Sequence, residues 1–77
     1  MAATKVTMLL TDKDVENANR IYQLTHSRTK AQAVSVALAL ARYLMDQRSN
    51  GAQILLHKDG TTERIVMTEL ENLAPQS

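Results

Sequence analysis

Residues 28–31, Arg-Thr-Lys-Ala, are the stretch whose residue types and order point to the most definite chemistry. Thr29 carries the hydroxyl of a helix N-cap, and Gln32 three residues later completes a capping box, so a helix starts at Lys30. The free N–H groups and the positive dipole end of such a start favour an anion. Arg28 and Lys30 flank it as charge-assisted donors. The ligand chemistry expected here is that of an anion. Without a ligand, the same residues are a capped helix with a solvated lysine.

Catalytic sets are missing by comparison. Ser27, Ser35, Ser49 and Ser77 have no His and Asp spaced to form a nucleophile–base pattern. Only Gly51 and Gly60 exist, too few for a glycine-rich phosphate loop. His26 and His57 lie far apart, in an inter-helix turn and a hairpin, and are expected at the surface. With no Cys there is neither a disulfide nor a thiolate metal site. The expectation is a non-enzyme with no metal and no cofactor.

The elements that must position Thr29 begin with residues 5–10, a short β-prone run. Val6, Met8 and Leu10 alternate onto one face, and Lys5, Thr7 and Leu9 fall on the other. A single strand cannot stand alone, and a helix follows at once, so its natural mate is the same strand of a second copy. As a fallback it is an edge strand of an ordinary α+β domain, with Lys5 and Thr7 facing water. Thr11 then caps a helix from Asp12 to about Thr25, with acids in its first turn and Val15, Ala18, Ile21, Tyr22 and Leu24 or Thr25 on one stripe. His26-Ser27-Arg28 breaks that pattern.

The second helix is expected from Lys30 to about Ser49, stopped by Asn50-Gly51. Ala33, Val34, Val36, Ala37, Leu38, Leu40, Ala41, Tyr43, Leu44 and Met45 are too many for one stripe, so most of its circumference needs cover. A second copy would supply it. Tyr22 and Tyr43 are expected half-buried, with wet hydroxyls. Residues 52–58 and 61–67 flank Asp59-Gly60, the signature of a β-hairpin with a type I′ turn. The expected organisation is a unit over 1–50, a hairpin extension over 51–68 and a flexible tail over 69–77, which contains Pro75.

Bulk properties agree with an oligomer. A chain of 77 residues with 44% apolar residues but only two Tyr, no Phe and no Trp must build a small aliphatic core. At this size a core is marginal and needs disulfides, a metal or oligomerisation. The net charge of +1 is unevenly spread: residues 1–50 hold seven Lys/Arg against four Asp/Glu, and residues 51–77 hold two against four. A dimer doubles the basic excess of the first segment. No apolar run nears the roughly 18 residues of a membrane span, and the first residues lack the pattern of a signal peptide. The expected location is the cytoplasm.

The order strand, capped helix, short turn, capped helix resembles the ribbon-helix-helix superfamily, in the MetJ/Arc and CopG-like sense. The resemblance rests on residues 6–11, on the Leu24-Thr25 to Arg28-Thr29-Lys30 turn, and on Ala33-Val34 followed by Ala37-Leu38. It covers residues 4–49 and implies a mainly α fold with short β structure, an intertwined ribbon-helix-helix homodimer carrying a C-terminal β-hairpin. It further implies that paired N-terminal strands enter the major groove of double-stranded DNA. Lys5, Thr7 and Leu9 would then face base edges, and the start of the second helix, Arg28-Thr29-Lys30, would clamp a phosphate. Leu9 departs from the polar character usual at its position: it can touch a thymine methyl but makes no hydrogen bond.

The function so implied is a sequence-specific transcriptional regulator, a repressor, acting as a symmetric dimer or a pair of dimers. Two alternatives stand beside it. One is an antitoxin whose C-terminus binds a toxin protein. The other is a dimerisation or adaptor module without DNA binding.

Overall fold

The first helix, α1, spans Asp12–Thr25 and begins with a capping box. Thr11 Oγ1 accepts from the Asp14 N–H, and Asp14 Oδ2 accepts from the Thr11 N–H, each at 3.1 Å. These two bonds satisfy donors that a helix start otherwise leaves open. The helix ends where His26 turns left-handed (φ 51°, ψ 36°) and its N–H reaches the Gln23 carbonyl at 3.4 Å. The Thr25 hydroxyl donates back to the Ile21 carbonyl at 2.8 Å. The details come from a computed structural model that describes residues 3–73. Residues 74–77 of the expected tail, with Pro75 and Ser77, lie outside the described residues.

A left-handed backbone disfavours any residue with a Cβ, and glycine is the usual occupant of such a helix-ending position. His26→Gly is therefore expected to stabilise the fold by up to about 1 kcal/mol, seen as a higher denaturant midpoint. A lowered midpoint would mean that the imidazole contributes more than the backbone strain costs.

The second helix, α2, spans Lys30–Ser49 and ends in a Schellman motif. Gly51 adopts φ 94°, its N–H donates to the Arg48 carbonyl at 3.1 Å, and the Ala52 N–H donates to the Gln47 carbonyl at 3.0 Å. Glycine is required here because the positive φ would strain any side chain. Both helices thus have the limits that the caps and stops in the sequence indicate.

Strands β1 (Leu55–Lys58) and β2 (Thr61–Arg64) form an antiparallel hairpin with Leu55 opposite Arg64 and Lys58 opposite Thr61. Asp59 (φ 53°) and Gly60 (φ 78°) both have the positive φ that a type I′ turn demands. The ladder continues by one bond beyond the strands, from the Ile65 N–H to the Ile54 carbonyl at 2.8 Å. A four-residue helix, α3 (Thr68–Glu71), follows, in part of the segment expected to be a flexible tail.

The chain is mainly helical, with one two-stranded antiparallel sheet among the described residues. Residues 5–10 form no strand within a single chain, because neither hairpin strand pairs with them. The chain divides into two compact units, Met1–Ala37 and Leu38–Ser77, and the division falls inside α2. In the first unit Ala18, Ile21, Tyr22 and Ala37 are half-buried and Ala33 is buried. In the second, Ala41, Leu44, Ile54, Ile65 and Leu70 are half-buried.

Ala33 is the only buried residue among those described. Much of the apolar surface of α2 remains open: Leu38 is 64% exposed, Leu40 58% and Tyr43 61%. Tyr22 is half-buried as expected, while Tyr43 is not. Folded proteins of this size bury more than half of the surface of the unfolded chain. Within each unit the described residues of one copy enclose at most one side chain, too little to offset the conformational entropy lost on folding.

Candidate functional site

The start of α2 is built by three hydrogen bonds. Thr29 Oγ1 accepts from the Gln32 N–H at 3.0 Å, and the Thr29 carbonyl accepts from the Ala33 N–H at 3.2 Å. The expected capping box is modified in its other half: Gln32 Oε1 takes the N–H of Arg28, at 2.8 Å, and not that of Thr29. The physical effect is to leave the successive N–H groups of Thr29, Lys30 and Ala31 without a hydrogen bond among the described residues. Three adjacent open donors at the positive end of a helix favour an oxyanion. The Arg28 and Lys30 side chains stand exposed beside them and make no ion pair among the described residues.

Lys5, Thr7 and Leu9 lie on the segment before α1, and all three side chains are exposed. Leu9 is fully so, at 101%. Their alternate neighbours Val6, Met8 and Leu10 are 63%, 67% and 57% exposed, a high value for three aliphatic residues in a row of alternating positions. No hydrogen bond or ion pair among the described residues joins this segment to Arg28-Thr29-Lys30.

Sequence reasoning passed over Arg20, an exposed cation of α1 with no ion pair among the described residues. Only its charge marks it out. The nearby Lys13–Glu16 pair, 3.4 Å apart with both side chains 71% exposed, is too solvated to matter much.

A second polar cluster also escaped the sequence reading. Glu71 on α3 accepts from Arg48 Nε at 3.2 Å and Arg48 Nη2 at 3.0 Å, and from Arg64 Nη2 at 3.1 Å. The Arg48 hydrogen bonds hold the Glu71 carboxyl below its ordinary range, against an upward push from partial burial, and the Arg48 and Arg64 charges add to the fall. The same hydrogen bonds raise Arg48 above its ordinary value. No short-range pattern marks these three residues in the sequence.

His57 Nδ1 lies 2.7 Å from Thr62 Oγ1, its partner across the hairpin. Among the described residues no three His, Cys, Asp or Glu side chains gather as a metal site, and no helix is long and apolar enough to cross a membrane. Comparison with protein-family models, with curated proteins and with solved structures finds no match to this chain.

Proposed function

We propose that this chain is the protomer of a homodimeric, sequence-specific DNA-binding regulator of ribbon-helix-helix type, a cytoplasmic transcriptional repressor. The observation that carries the reading is the missing core: among the described residues one copy buries Ala33 alone and leaves Val6, Met8 and Leu10 in solvent. A second copy, pairing residues 5–10 antiparallel with their equivalents, would satisfy the backbone of that segment. It would also remove the Val6, Met8 and Leu10 face from water.

That pairing places Lys5, Thr7 and Leu9 of both copies together on the opposite face of a two-stranded ribbon, of a size the major groove admits. The open N–H groups at Thr29, Lys30 and Ala31 suit a phosphate oxygen, and Arg28 and Lys30 add charge beside it. Two such clamps related by a two-fold axis would fix the ribbon on an inverted-repeat operator. Phosphate contacts would supply most of the affinity, so binding should weaken steeply with salt.

Exposed Leu9 favours a second reading, a dimerisation or adaptor module, because a leucine at the centre of the outward face offers no hydrogen bond to a base. The antitoxin reading gains less. A toxin-binding tail commonly folds only on its partner, whereas here the C-terminal unit already contains a hairpin, a helix and a bridged Glu71.

The deciding measurement is fluorescence anisotropy of DNA from upstream of the chain's own gene, titrated with protein at several salt concentrations. Saturable binding with a steep salt slope is expected, tighter for that DNA than for a scrambled duplex. A dimer in sedimentation with no salt-dependent binding would transfer the proposal to the adaptor reading.

A further inference from the structure

We propose that Glu71 is a latch: its one carboxylate, shared by Arg48 at the end of α2 and Arg64 on β2, holds the hairpin and α3 to α2. When that carboxylate is neutralised, the C-terminal unit opens without unfolding α1. The inference is independent of DNA binding.

The argument begins with what the unit Leu38–Ser77 lacks. None of its described residues is buried, and Leu55, Leu56, Val66 and Met67 are between 49% and 62% exposed. An isolated two-stranded hairpin is marginal in water, and a four-residue helix does not persist by itself. Ile54, Ile65 and Leu70 are half-buried, so the hairpin and α3 have only partial apolar cover, too little by itself to hold so short a helix.

The ion-pair cluster has the properties the apolar surface lacks. Arg48 grips Glu71 with two parallel N–H donors, at 3.2 and 3.0 Å, and Arg64 adds a third at 3.1 Å. A bidentate fork is both stronger and more orienting than a single point contact. The Arg48 and Glu71 side chains are only 22% and 27% exposed, so solvent screens them less than an open surface pair. Arg48 is itself aimed by Nη1, which donates to the Ala52 carbonyl at 3.5 Å just beyond the Gly51 turn. The bonds join residues 23 and 7 positions apart. Three elements meet at one carboxylate.

The charged groups bonded to Glu71 are Arg48 from α2 and Arg64 from β2. From β1, His57 is turned to Thr62 instead, and Glu69 shares α3 with Glu71. Because both arginines favour the ionised form, the folded pKa of Glu71 is depressed. A depressed carboxyl contributes stability above its unfolded pKa, about 4.3, and that stability is lost as pH falls through the lower folded value. The latch is closed at neutral pH and opens in acid.

The test is native-state hydrogen exchange on the full chain at neutral pH, comparing wild type with Glu71→Gln. The Ile65 N–H, bonded to the Ile54 carbonyl, and the Asn72 N–H, bonded to the Thr68 carbonyl, should exchange at least about tenfold faster in the variant. The Val15 N–H of α1, bonded to the Thr11 carbonyl, should change less than about twofold. Arg64→Met, which removes one donor of three, should show a smaller acceleration of Ile65. Unchanged Ile65 protection in Glu71→Gln would overturn the proposal, as would an equal loss of protection in α1. Should Glu71→Gln not fold, an acid titration of the wild type followed by NMR decides: hairpin resonances must lose dispersion before those of α1.

Discussion

Met8→Asp is expected to abolish the folded protein at micromolar concentration, while Leu9→Asp, one residue on, leaves it folded. The contrast follows from the period of a strand, which sends neighbouring side chains to opposite faces. In the proposed ribbon Met8 faces the core shared by two copies, and Leu9 faces outward. Met8 is 67% exposed in a single chain, so most of its burial must come from the second copy.

Burying a methionine contributes about 1.5–3 kcal/mol, and two-fold symmetry makes every loss count twice. A carboxylate forced into the same apolar seam costs several kcal/mol more per copy. The sum is comparable to the whole stability of a typical domain, roughly 5–15 kcal/mol. Circular dichroism and sedimentation velocity would read it directly. The wild type should show a melting temperature that rises with protein concentration, the signature of folding coupled to association. A Met8→Asp chain that stays folded and self-associated would refute the ribbon.

The second large effect concerns the helix start. An Arg28→Ala/Lys30→Ala double variant removes two charges per chain and four per dimer. If each neutralises one phosphate, the slope of log K against log salt should fall by about 3.6, and affinity at 0.1 M salt by about a thousandfold. The loss should be similar for operator and scrambled DNA, because phosphate contacts position without reading sequence. Thr29 is left in place so that its bonds to Gln32 and Ala33 keep the helix start intact. A loss confined to the operator would move Arg28 and Lys30 from phosphates to base edges. No loss would remove the clamp.

These two expectations draw on parts of the chain that were unequally legible. Thr11 with Asp14, Thr29 with Gln32, Gly51 after α2 and Asp59-Gly60 between the strands are all interactions over three residues or fewer. Residue type and spacing alone state such geometry, so helix limits and turn could be read without coordinates. The same local logic marked Arg28, Thr29 and Lys30 as candidates. It missed that Gln32 would reach past Thr29 to the N–H of Arg28 and so enlarge the set of open donors. A side chain with several rotatable bonds chooses between two acceptable donors by fine backbone placement.

What the sequence determined unaided is the series of local elements and the surplus of apolar residues beyond what 77 residues can cover. Caps, stops and alternation act over short chain distances, where covalent geometry limits the choices. Only the tertiary structure decided that Arg48 and Arg64 would converge on Glu71, that a short helix would stand where a tail was expected, and that among the described residues Ala33 alone would be enclosed. Those outcomes depend on where distant segments meet, and the meeting of distant segments is set by the sum of many weak contacts that no short stretch of sequence contains.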